Sequence, residues 1–170
     1  TGFDYALGNA SKISVEGFLK KYDQFPISVV DGVSLANKGA DFEVLGNENI
    51  ITEGKGKTRG LEFLFQQKLT NNFYGIFSYT LFKSEFTDIN GNYLPSVWDS
   101  KHLSSFSGGY KLKKNWEISS RWRFSGKTPY VPYDLNASLA NYPNMILDYS
   151  ELGSVKLDNF SQLDVRFDKK

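Results

Sequence analysis

The sequence predicts an all-β chain: an antiparallel, up-and-down segment of a transmembrane β-barrel. Three observations carry that expectation. Apolar and polar side chains alternate with period two over unusually long runs, where ordinary strands hold about 5–6 residues. The connections between these runs are by turns very short and long. No stretch of about 18 apolar residues is present, so a transmembrane helix is excluded.

The elements follow in order. Phe3, Tyr5 and Leu7 alternate with Asp4 and Ala6, and Gly8, Asn9, Ala10 and Ser11 suit a tight turn. Ile13, Val15, Gly17 and Leu19 then alternate with Ser14, Glu16, Phe18 and Lys20, which predicts a strand over 12–22. Phe25 and Pro26 are expected to end it, because proline cannot donate to a ladder. Residues 23–56 read as a long connection dotted with Gly and Asn, in which 27–30 and 49–52 could pair locally. The strongest signal is residues 59–86. Leu61, Phe63, Phe65 and Leu69 oppose Gly60, Glu62, Gln66 and Lys68, with Leu64 the apolar exception. Thr70, Asn71 and Asn72 turn the chain. Phe73, Gly75, Phe77, Tyr79 and Leu81 then oppose Ser78, Thr80 and Ser84.

Residues 87–99 form a second long loop. Residues 101–112 are a strand, with Ser104, Phe106, Gly108, Tyr110 and Leu112 on one face and Ser105, Ser107, Gly109 and Lys111 on the other. Lys113, Lys114 and Asn115 make another tight turn. Trp116, Ile118, Trp122 and Phe124 then oppose Glu117, Ser119, Arg121 and Arg123. Residues 127–157 are a third long loop. The last strand sets Leu163, Val165 and Phe167 against Gln162, Asp164, Arg166 and Asp168.

Sorted loops are the mark of a bacterial outer-membrane barrel, with short periplasmic turns and long extracellular loops. On this reading about seven long strands cross, and Leu61, Phe63, Phe65, Phe77, Tyr79, Ile118, Trp122 and Phe124 face lipid. Phe73 and Trp116, just after short turns, fall where aromatic rings favour a membrane interface. Arg121, Arg123, Asp164 and Arg166 face a wet lumen, where Glu117 and Asp164 are the expected partners of the arginines. Single-chain bacterial barrels have an even strand number, so an odd count ending in Lys169-Lys170 points to a fragment. The opening TGFDYALG has no basic start and no apolar h-region, so it is expected to be a mature chain or a piece of something larger.

Composition narrows the function classes. With 20 basic and 19 acidic side chains the formal charge is +1, which gives no basic excess for nucleic acid. No cysteine is present, so a disulfide scaffold and a Cys-ligated metal are excluded. With one histidine besides, neither a metal site nor a cofactor is expected. Asp99, His102 and Ser104 have the residue types of a hydrolytic triad, but a strand start explains them better; no enzyme is expected. Asp88-Ile89-Asn90-Gly91-Asn92 has Ca²⁺-loop oxygens but no bidentate Glu, and Asn-Gly is foremost a turn signal. Trp98, Tyr130, Tyr133 and Tyr142 lie in the predicted extracellular loops and are the candidate ligand-binding residues. Packing between loops is the competing explanation for them. Lys55, Lys57 and Arg59 form a basic group near the outer rim that would attract an anionic ligand or a lipopolysaccharide phosphate, or is simply solvated. A soluble β-sandwich that binds carbohydrate remains the alternative architecture, and an outer-membrane barrel hydrolase a third.

Several stretches carry a family resemblance: Ile13-Ser14-Val15-Glu16-Gly17-Phe18 leading to Lys21-Tyr22 and Pro26; Thr58-Arg59-Gly60-Leu61-Glu62; Phe77-Ser78-Tyr79-Thr80; Trp98-Asp99 with His102; Arg121-Trp122-Arg123 with Gly126; Pro129 to Asp134; and Leu163-Asp164-Val165-Arg166-Phe167-Asp168. In this order the chain resembles the C-terminal barrel region of TonB-dependent outer-membrane receptors of the Bacteroidetes type. The resemblance implies a partial barrel domain over residues 1–170, without the family's plug domain and TonB box. It implies energised uptake of a scarce ligand: siderophore, haem, cobalamin or glycan. The implied partners are outer-membrane lipid, the plug, TonB through the missing N-terminal part and, for glycans, a surface lipoprotein. The implied location is the bacterial cell outer membrane.

Overall fold

The computed structural model describes residues 1–38 and 45–169. The centre of the first long loop and Lys170 lie outside the described residues. The strands are β1 (Gly2–Leu7), β2 (Ser11–Ser28), β3 (Ile50–Thr70), β4 (Phe73–Thr87), β5 (Tyr93–Pro95), β6 (His102–Lys111), β7 (Trp116–Ser125) and β8 (Phe160–Lys169). All belong to one antiparallel sheet in the order β1-β2-β3-β4-β6-β7-β8, with β5 paired only to β4. Apart from the short β5, sequence neighbours are spatial neighbours, so the sheet is a meander. A sandwich needs two sheets, and among the described residues there is one.

The register runs straight across the sheet. Ile13 stands opposite Phe65, and Phe65 opposite Phe77. The row continues through Phe106 and Trp122 to Leu163. Directly opposed residues share a face, so this row and its neighbours at two-residue spacing form one aromatic face. Leu61, Phe63, Phe65, Phe77, Tyr79, Ile118, Trp122 and Phe124 all stand on it. Glu62, Thr80, Ser105, Arg123 and Gln162 stand on the other. Large apolar side chains on the aromatic face stay open: Leu61 is 56% exposed and Leu163 64%. An apolar surface of that extent needs a partner other than water.

The turns use residues that tolerate a left-handed backbone. Asn71 and Asn72 have φ of 49° and 73°, as a two-residue hairpin turn matched to strand twist requires. Lys114 and Asn115 repeat this between β6 and β7, at 59° and 61°.

Two expectations need correction. β2 does not end at Pro26 but runs to Ser28. Register shifts flank Phe25, and Gln24 takes φ of 54°. A bulge is where a ladder can accept a proline. β3 begins at Ile50, well inside the predicted loop, so at 21 residues it spans about 70 Å at ~3.3 Å per residue. A crossing needs only about 9–11 residues, which matches the 10 of β6, β7 and β8. The surplus of β2, β3 and β4 projects beyond the tight-turn-to-rim ladder on the long-loop side.

The buried core sits among the loops at that end. Val33, Val131 and Leu152, from the first and third loops, form a cluster with Leu94, Leu147 and Tyr149 packed against it. The third loop carries α1 (Leu135–Ala140), started by Asp134, whose carboxylate accepts from Ala137 N–H at 2.9 Å. Asn37 is fully buried and donates to the Pro95 carbonyl at 2.6 Å, tying the first loop to β5. Val97 N–H donates to the Ala36 carbonyl beside it at 3.2 Å.

Candidate functional site

The projecting part of the sheet carries an aromatic cluster on its polar face. Phe86 is 2% exposed. Its ring lies 4.5 Å from Phe25, 5.4 Å from Tyr22 and 6.1 Å from Trp98. Gly56 makes room for it: a Cβ there would sit 2.4 Å from the Phe86 ring. With neighbours on every side the ring cannot swing away. Gly56→Ala is therefore expected to cost about 1–3 kcal/mol through overpacking, read as faster amide exchange in β3 and β4 above that level.

Of the four candidate ligand-binding residues, Trp98 is the one in this cluster, edge-on to Phe86 and half exposed. Tyr133 is half exposed on the strand-like bridge to Leu147, and Tyr142 is 85% exposed at the loop tip. Tyr130 is partly buried, its N–H donating to Val155 O at 3.3 Å. Among the described residues, no ring contact joins any two of the four. Tyr22, Phe25 and Phe86 were missed by sequence reasoning. Phe82 and Phe86, at even positions that they share with Ser78, Thr80 and Ser84, were the available signal.

Beneath this cluster the second loop is pinned to β4 by Asp99. Its carboxylate accepts from Ser84 N–H at 3.0 Å. Burial pushes the carboxyl above its usual range, against the pull of that hydrogen bond and of Lys101 and Lys83. The folded state thus holds the proton more tightly than the unfolded chain. This group's contribution to stability grows as pH falls toward 3.8 and shrinks as pH rises through the raised value. Asp99→Asn keeps the acceptor and is expected to change stability by less than about 0.5 kcal/mol at neutral pH, whereas Asp99→Ala strands a buried N–H and costs about 1–3 kcal/mol. Chemical denaturation of the two variants checks the contrast.

The triad-like residues do not converge. Asp99 serves Ser84, His102 Nδ1 meets the Tyr79 hydroxyl at 2.8 Å, and Ser104 donates to Ser78 O at 3.1 Å. Asp88 caps its own turn, accepting from Asn90 and Asn92 N–H at 2.9 and 2.7 Å. Among the described residues, no group of three metal-ligating side chains is present. Of the polar-face arginines, Arg123 donates to Gln162 at 2.7 Å, and Arg166 forms an ion pair with Asp168. Arg166 thus takes a same-strand partner two residues on, and Arg123 the glutamine directly opposite it.

A single meander with one aromatic and one polar face, tight turns at one end and a packed loop layer at the other is the wall of an outer-membrane-type β-barrel. The family model for the TonB-dependent receptor-like β-barrel matches residues 1–168, and the chain belongs to that family. This is a family of receptors and transporters rather than enzymes, and its members are outer-membrane proteins of Gram-negative bacteria. Among solved structures the chain is similar to the ferripyoverdine receptor of the outer membrane of Pseudomonas aeruginosa, with 16% identity over 98% of this chain and 20% of that one, at a TM-score of 0.63. It is also similar to the ferric-catecholate import receptor Fiu of E. coli K12, with 11% identity over 95% and 19%, at 0.60. A third match is FpvAI in its complex with pyocin S2, with 16% identity over 98% and 21%, at 0.63. The chain thus spans about a fifth of the length of these receptors. No curated protein matched it by sequence.

Proposed function

We propose that this chain is the C-terminal part of the barrel of a TonB-dependent receptor of the Bacteroidetes type, seated in the bacterial outer membrane and serving energised uptake of a scarce ligand. The observation that carries this reading is the two-face register that runs from Ile13 through Phe65, Phe77, Phe106 and Trp122 to Leu163. The aromatic face meets lipid, and the polar face lines a lumen that holds the plug domain. TonB engages the receptor through the part that precedes this chain. β1 and β8 each have one partner in the sheet, and further strands of the same receptor pair with their free edges. Trp98, Tyr130, Tyr133 and Tyr142 gather the ligand at the outer mouth: a ferric siderophore, haem, cobalamin or a glycan. For a glycan, a surface lipoprotein is the further partner.

The test is a deletion strain supplied with each ligand class in turn as its limiting source. Growth on one class should be lost, be restored by the whole receptor gene and depend on the proton-motive force. Unchanged growth on all four would overturn the reading. Replacing residues 127–157 with a two-residue turn should abolish ligand binding while leaving barrel assembly intact.

A further inference from the structure

On the aromatic face, at its boundary with the projecting strands, a groove has Leu19, Leu61 and Leu81 as its floor and Arg59, Lys83 and Lys101 as its charged rim. The rows are continuous: Gly17, Leu61 and Leu81 stand opposite one another, and the next row outward sets Leu19 opposite Arg59 and Arg59 opposite Lys83. Like charges directly across a strand pair repel, so a direct Arg–Lys opposition disfavours the sheet unless an anion lies between. Among the described residues, the chain's own carboxylates reach Lys83 but not Arg59 or Lys101. Glu85 bonds Lys83 at 2.7 Å and also serves Lys57 at 3.6 Å. Asp99 is buried and turned to Ser84. No ion pair engages Arg59 or Lys101 among the described residues. Cations that project from the polar face would meet lumen water; these sit one step above exposed leucines on the opposite face.

We propose that this groove binds the phosphate of an anionic outer-leaflet lipid, with its acyl chains lying down the wall over Leu61 and Leu81. The inference rests on the membrane reading above and adds to it a fixed lipid position. A phosphate monoester fits best, because it offers enough acceptor oxygens to bridge a guanidinium and two ammonium groups at once. The acyl chains keep the occupant on this face, where basic pockets at membrane depth hold lipid headgroups.

The test uses the whole receptor in mild detergent, with native mass spectrometry counting retained lipid. The probes are phosphatidic acid, phosphatidylcholine with the same chains, and inorganic phosphate. Phosphatidic acid should be retained about tenfold more than phosphatidylcholine, a difference of about 1.4 kcal/mol. The triple variant R59Q/K83Q/K101Q should lose that preference, and R59Q alone should cut it about threefold, while K12Q on the polar face leaves it intact. A heat-modifiable gel shift reports the folded barrel for each variant. Equal retention of the two lipids, or a preference that survives in the folded R59Q and triple variants, overturns the site. So does displacement of phosphatidic acid by equimolar inorganic phosphate, which would mark a soluble-anion site. Retention of neither lipid would strike at the membrane reading itself.

Discussion

Phe77→Arg is expected to destabilise the receptor in a bilayer by about 2–4 kcal/mol, the cost of a cation near the lipid midplane on a barrel's outer face. Phe77 stands midway along the stretch of β4 paired with β6, which runs from Phe73 to Leu81, with Phe65 and Phe106 as its cross-strand neighbours. No partner carboxylate stands in that row. The contrasting change is Thr80→Arg, three residues away but on the polar face and opposite Glu62. There the new guanidinium meets lumen water and a carboxylate, so a change within about 0.5 kcal/mol is expected. Denaturant unfolding of the two variants in vesicles measures the difference. Two equal effects would mean that the faces are not separated by a membrane.

Lys38→Met is expected to cost about 3 kcal/mol in the stability of the loop layer, near the lower end for removing one partner of a buried ion pair. Lys38 is buried, and its ammonium bonds Asp31 at 2.5 Å and both Glu48 oxygens at 2.7 and 2.9 Å, with the Tyr149 ring 5.8 Å away. Methionine fills similar space but leaves the two carboxylates facing each other. Those carboxylates keep about a quarter of their surface exposed, which holds the cost below the upper end. The predicted pH response follows from the same cluster. Burial pulls the Lys38 ammonium's pKa down, but the hydrogen bonds it donates to Asp31 and Glu48 outweigh it, so the pKa lies above its ordinary 10.5. The folded state therefore keeps the proton where the unfolded chain loses it. The stabilisation is complete below pH 10.5 and fades as pH climbs through the raised value. Hydrogen exchange should show the first and third loops loosening together in that alkaline range. In Lys38→Met they should already be loose at neutral pH, while β6, β7 and β8 remain protected.

The wall of this protein was legible in its sequence because alternation is a local signal. Phe63, Phe65, Phe77 and Tyr79 declare their common face from spacing alone, and Asn71-Asn72 declares the turn between them. What was not legible depended on contacts across the chain. Pro26 reads as a stop until Gln24 is seen to absorb a bulge. Gly54 and Gly56 read as loop residues until Phe86 is seen to lie over the backbone at Gly56. β5 exists because β4 extends a free edge beyond the end of β6, which three residues cannot announce by pattern. The basic rim was half visible: Lys55, Lys57 and Arg59 lie together in sequence, but the groove recruits Lys83 and Lys101 through strand pairing. The loop core of Val33, Val131 and Leu152 joins residues far apart in sequence, and no periodicity marks them.

The central claim is that β3 and β4 cross a bilayer with their aromatic face outward. It is tested most directly by single-cysteine spin labels scanned along 60–66 and 76–82 of the whole receptor in vesicles, in a cysteine-free background. The account predicts that oxygen collision rates peak at 61, 63, 65, 77, 79 and 81, and that a water-soluble nickel relaxant peaks at the positions between. Nickel access without alternation, or oxygen maxima at 62, 64, 78 and 80, would contradict it.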